Sequence, residues 1–129
     1  AVFSRSGNLV GFDGSQIDGQ EKIENHLSGI FSDHVPARYV GKVRELRMLG
    51  QEVVLLRAVA GMIPPNESRI NPALNTIHTL VASRQGDRYL AELFQATPAA
   101  FHGRPEESEG LTAELQRLSD EQRKTAPSH

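Results

Sequence analysis

The chain has 129 residues and a mass of 14.2 kDa, with sixteen acidic and fourteen basic side chains, a formal charge of −2 and no cysteine. That length makes one domain, burying roughly two thirds of its unfolded surface, and the cysteine count excludes disulfides, thiolate zinc sites, iron–sulfur clusters and a cysteine nucleophile. The charge balance argues against nucleic acid as a partner. No apolar run approaches the ~20 residues that span a bilayer, and the first residues show no basic segment followed by an apolar stretch, so we expect a cytoplasmic protein with no membrane association.

In chain order, residues 1 to 12 read as a short hairpin, because two apolar runs flank Arg5-Ser6-Gly7-Asn8 and both Gly7 and Asn8 tolerate the positive φ of a tight reversal. The chain opens on Ala1-Val2-Phe3, already apolar and without an initiator methionine, which suggests a segment missing from its front. Asp13-Gly14-Ser15 breaks the strand pattern. Asp18-Gly19 leads into a helix over 20–33, where Ile23, Leu27, Ile30 and Phe31 recur at three- and four-residue spacing. Pro36 ends it, since the residue before a proline is pushed out of the helical region. Strands over 37–49 and 52–63 follow, reversing at Gly50-Gln51. The segment Pro64 to Pro72 is a loop by its prolines and asparagines, expected over one end of the sheet as a lid.

Strands over 74–84 and 88–96 form the last hairpin around Gly86-Asp87, and Pro98, which has no N–H for a ladder, takes the chain out of the sheet. Beyond Phe101-His102-Gly103-Arg104-Pro105 the composition turns to Glu, Ser, Gln and Lys. Leu111, Leu115 and Leu118 make a narrow helical stripe there, with Ser108 as N-cap, better suited to docking on a neighbour than to building a core. The expected organisation is a domain over 1–106 and a C-terminal amphipathic helix with a disordered end over 107–129. One helix, a run of long antiparallel strands and a terminal helix give an α+β fold, with an antiparallel sheet curled around a helix to leave a conical cavity.

Four polar residues stand out inside this pattern. A two-residue Gly86-Asp87 loop sets Gln85 against Arg88, and therefore His78 against Gln95, Leu80 against Leu93 and Ala82 against Ala91 on one face; Ile77, Thr79, Val81 and Phe94 make an apolar row on the other, fit for an interface. A His opposite a Gln in an apolar row either forms a mutually bonded core pair or presents both groups to a ligand. Arg57 stands in the apolar run Val53 to Ala60, where a buried guanidinium needs Glu45, Glu92 or the anionic group of a ligand. Tyr39 either lines the same cavity with its hydroxyl as donor or sits in the core with its oxygen at the rim.

The remaining titratable groups are plainer. His26 and His34 read as surface or boundary histidines, Asp13 and Asp18 as turn or cap residues, and the histidines show no metal-ligand spacing, so no metal is expected. No phosphate loop, nucleophile elbow or dinucleotide fingerprint is present, so no cofactor is expected either.

Ala1-Val2-Phe3, the helix opening Asp18-Gly19-Gln20-Glu21-Lys22-Ile23, the run from Val53 to Ala58 and the run from Leu90 to Thr97 resemble, in this order, the SnoaL-like branch of the nuclear-transport-factor-two superfamily. With the tail Thr97 to Glu106, the chain is most similar to the SgcJ/EcaC-type proteins, over residues 1 to about 118. The resemblance implies a cone-shaped α+β barrel, a homodimer through the outer face of the sheet and a pocket between helix and sheet. The superfamily includes ketosteroid isomerases, polyketide cyclases and the association domain of calmodulin-dependent kinase, so the fold does not fix the function. Two departures matter. Family members open with an amphipathic helix that closes the cone; none stands ahead of Ala1-Val2-Phe3, so we expect either a front segment that is missing or an opening covered by the Leu111/Leu115/Leu118 helix or a partner. Ser4-Arg5-Ser6 stands where the isomerases carry an Asp base, so that mechanism is not carried over.

Two readings stay open. The first is a pocket protein for a small apolar or polyketide-like molecule, whose catalytic form is a cofactor-independent enzyme of secondary or detoxifying metabolism; His78 is then the acid/base candidate, Gln95 its orienter or a ligand partner, Arg57 an anion or enolate stabiliser and Tyr39 a donor. The second is a non-catalytic dimerisation module.

Overall fold

The first reversal of the chain comes later than Gly7 and Asn8 suggest. A computed structural model describes residues 2–33 and 38–125, with side chains over 2–28 and 38–124; His34, Pro36 and the residues beyond Thr125 lie outside these, as do the side chains of Ile30 and Phe31. In it β1 runs unbroken over Phe3–Val10 and turns back at residues 11–15 into the short β2, Gln16–Asp18. Gly11 N–H donates to the Ser15 carbonyl at 2.8 Å, and the Asp13 carboxylate accepts the Ser15 N–H at 2.9 Å. Gly7 serves closeness instead of turning. A Cβ there would stand 2.9 Å from the Ala91 carbonyl oxygen, so the bare backbone is what lets β1 press against its neighbour where the ladder shifts register between Phe3 and Asn8.

Gly19, at φ 95°, admits the chain to α1, Gln20–Asp33, over the residues that the periodicity predicts. Four long strands follow as two hairpins: β3 (Arg38–Met48) with β4 (Val53–Ile63), and β5 (Thr76–Gln85) with β6 (Arg88–Pro98), joined through a single 3-10 turn at Pro72–Leu74. The order across the curved sheet is β2-β1-β6-β5-β4-β3, and β1 pairs with β6 in parallel. The sheet is therefore mixed, not wholly antiparallel as the hairpin signals imply. Most of the chain separates β1 from β6, so no tight turn dictates their relative direction.

Each face of the sheet carries one helix. On the inner face α1 buries Ile23, fully enclosed, against Phe3, Leu9 and Ala91, with Leu27, Leu80 and Phe94 packed around them. On the outer face α2, Pro105–Thr125, buries Leu111 and Leu115 against Val40, Val59, Ile63, Ile70 and Ala99, with Leu118 alongside. This overturns the expectation of a helix docked on a neighbour: its leucines complete a core of their own chain. Gly61 makes room for it, since a Cβ there would lie 3.0 Å from a Leu115 methyl. The helix also starts earlier than Ser108, at Pro105, whose fixed φ suits the first helical position; Glu106 and Glu107 in the first turn and Arg123 and Lys124 in the last complement its dipole. No helix of the described residues is long and apolar enough to cross a membrane.

A carboxylate fastens α2 to the edge strand. Glu114 accepts bonds from both terminal nitrogens of Arg44 at 2.5 and 2.6 Å and lies 3.2 Å from Lys42 Nζ, and the Arg44 fork above all holds its pKa at about 2. Between the usual 4.5 and about 2 the unfolded chain binds this proton and the native state does not, so the stabilisation is present above that window and lost as pH falls through it. We expect Glu114→Gln to flatten the acid limb of stability against pH while costing at most about 1 kcal/mol at neutral pH, the pair being solvent-exposed. Denaturant unfolding at a series of pH values checks this, and an unaltered acid limb would refute it.

Candidate functional site

A single bulge decides which polar residues share a face. Gln85 faces Arg88 and Ala82 faces Ala91, as the tight loop requires, but between Val81 and Ala82 the register shifts so that Val81 faces Leu93. From there the ladder runs one residue out of the expected step, setting His78 against Ala96, Thr79 against Gln95 and Leu80 against Phe94. A slip of one residue exchanges the faces of a strand. The His78–Gln95 pair predicted from the loop is thus not formed: His78 is on the inner face, Gln95 exposed on the outer one, and Phe94 moves from the expected outer row into the inner core. The extra residue is Glu92. Its carboxylate accepts the Ser4 hydroxyl at 2.6 Å and the Ser83 hydroxyl, and these bonds hold it below its usual pKa.

On the inner face, His78 leans on Phe94 with ring centroids 4.9 Å apart at 58° and lines a cleft of about 260 Å³ together with Phe12, Tyr39, Met62, Thr76 and Ala96. Pairing of Tyr39 with Met62 across β3 and β4 brings the tyrosine to this wall, where it remains 71% exposed and forms the rim. No charged side chain lines the cleft. Burial lowers the His78 pKa, which keeps the imidazole neutral at pH 7, with one nitrogen donating and the other accepting. The Thr76 hydroxyl donates to the Thr97 carbonyl at 3.1 Å, so its oxygen is left to accept. Thr76, Met62 and Ala96 were not singled out in the sequence, although Thr76 is two residues from His78 and so shares its side of a strand.

Arg57 and Gln95 meet elsewhere. Cross-strand pairing places Glu45, Arg57, Thr79, Gln95 and Val10 in one row on the outer face. The Arg57 side chain is 57% exposed and lies 3.8 Å from Glu45. Glu45 is one of its expected partners, but the guanidinium is not buried, because α2 packs on the outer face at Val40, Val59 and Ile63 and leaves this row uncovered. Neither residue lines the inner cleft. The segment expected as a lid is tied to α2: Gln116 Oε1 accepts the Ile70 N–H at 2.8 Å and Arg123 donates to the Ser68 carbonyl at 3.2 Å.

No family model and no curated protein matches the sequence. Solved structures do. The chain is similar to a domain of unknown function with a cystatin-like fold from Nostoc punctiforme PCC 73102, with a TM-score of 0.72 and 20% identity over 93% of this chain and 76% of that one. It is similar to a putative calcium/calmodulin-dependent protein kinase type II association domain from Thiobacillus denitrificans, with a TM-score of 0.67 and 15% identity over 75% of this chain and 76% of that one. A third neighbour is an NTF-2 like protein of unknown function from Shewanella oneidensis MR-1, with a TM-score of 0.57 and 11% identity over 73% of this chain and 74% of that one. The fold is thus the α+β fold of the nuclear-transport-factor-two-like proteins.

Proposed function

We propose that the chain is a small-molecule pocket protein whose inner cleft takes an uncharged, largely apolar ligand against His78. The observation that carries this reading is a half-buried imidazole among apolar walls, in a cleft of about 260 Å³ without a charged group, where burial disfavours the protonated ring. Such a lining repels ions and rewards a compact apolar body with one or two polar atoms. In the catalytic form of this reading, the free nitrogen of His78 removes a proton beside a ligand carbonyl and returns it to another atom of the same molecule, while the Tyr39 hydroxyl donates to the carbonyl oxygen as charge builds there. That chemistry uses no cofactor. It suits the SnoaL-like, SgcJ/EcaC-type resemblance and a polyketide-like ligand, in a cytoplasmic homodimer.

The outer face favours a second reading, a non-catalytic association module. Ile77, Thr79, Val81 and Leu93 form its apolar row, with Leu93 in the place expected of Phe94, and Arg57 and Gln95 flank it. The Thiobacillus neighbour is itself described as an association domain. Ala96→Phe separates the two readings by filling the cleft from the strand opposite His78. On the pocket reading it abolishes binding of apolar fragments found by thermal-shift screening and leaves the sedimentation coefficient unchanged. A screen with no binders, or binders indifferent to this substitution, would favour the association reading.

A further inference from the structure

We propose that the groove between the loop at residues 66–72 and the first half of α2 is a second ligand site, built for a carboxylate on an aromatic body. The groove encloses about 690 Å³, within the range of roughly 300–1,000 Å³ common for small-molecule sites, and shares no lining residue with the inner cleft. Its walls are fixed in advance. Gln116, 8% exposed, clips the loop by accepting the Ile70 N–H at 2.8 Å and donating to the Ser68 carbonyl at 3.3 Å. Phe101 holds φ 45°, a conformation an aromatic residue adopts only when its surroundings impose it; its ring packs on the outer core and lies 5.8 Å beneath the Arg104 guanidinium, which is itself 2.8 Å from Glu107.

The chemistry of the lining selects the ligand. Ile70, Phe101 and Ala113 offer apolar contact to a flat ring. Thr112 already accepts the Asn75 amide at 2.8 Å, so its hydroxyl proton is available, and the side-chain hydroxyl of Ser108 has no hydrogen-bond partner among the described residues. Arg69 lines the same groove and has no acidic partner among the described residues; its planar fork matches a carboxylate in two parallel bonds. Glu109 also lines the groove and opposes an anion, which fixes the sign of its contribution.

Titration of the full chain with phenylacetate, followed by amide NMR, tests the site. We expect saturable shifts at Ile70, Gly103 and Thr112, about tenfold weaker binding in Arg69→Ala, and severalfold tighter binding in Glu109→Gln. His78→Ala leaves the titration unchanged. No saturable shift up to about 50 mM, shifts confined to the inner cleft, or unaltered affinity in Arg69→Ala would each overturn the proposal.

Discussion

Truncating Leu115 to alanine is expected to lower the unfolding free energy by about 2–5 kcal/mol, the range for deleting a leucine from a close-packed site. Leu115 has no exposed surface, and it touches the outer core where β4 has no side chain at Gly61. Collapse around the cavity is restricted on both sides. Glu114 pins the helix to Arg44 on β3, and Gln116 pins it to the loop at Ser68 and Ile70, so α2 cannot settle onto the gap without breaking those bonds. Leu118→Ala, at a partly buried position of the same helix, is the control and should cost less. Denaturant unfolding provides the measurement. A Leu115→Ala loss under about 1 kcal/mol would mean that α2 is an appendage instead of part of the core.

The sequence was readable wherever one local rule governs. The spacing of Ile23 and Leu27 places α1, and turn residues mark both long hairpins and so bound their strands. What escaped is set by contacts between distant segments. Gly7 looks like a turn residue, because glycine serves tight turns and close approach equally, and only the Ala91 carbonyl distinguishes them. The stripe of Leu111, Leu115 and Leu118 is visible, but its partner surface depends on the missing side chain at Gly61, fifty residues before Leu111. For the site, Glu92 is decisive. Its bulge depends on Ser4 and Ser83, one from the far end of the chain, and no pattern within residues 76–98 announces it. Gln95 therefore lies on the face away from His78, while Tyr39 stands at the rim of the cleft that His78 lines.

His78 carries the second large expectation. On the pocket reading, His78→Ala weakens an apolar carbonyl ligand by tenfold or more, about what loss of a buried hydrogen bond and of the imidazole surface implies. The pH dependence follows from burial, which lowers the imidazole pKa below 6.5. As pH falls below 6.5 the unfolded chain takes up the proton first, so the native state loses stability across that window until its own lowered pKa is reached. His78→Phe removes that slope and should leave the inner core packed against Phe94. Binding of a ligand that needs the neutral ring persists to lower pH than the titration of an ordinary histidine would allow.

The most direct test follows the His78 imidazole resonances by NMR as 2-tetralone, a compact apolar ketone, is added to the full chain, with the histidine titrated at each concentration. The expected result is a saturable shift of His78, a further fall in its pKa because the ligand stabilises the neutral ring, and neither effect in Ala96→Phe. A ketone that fails to bind, or binds while the His78 resonances stay still, would contradict a ligand site in the inner cleft.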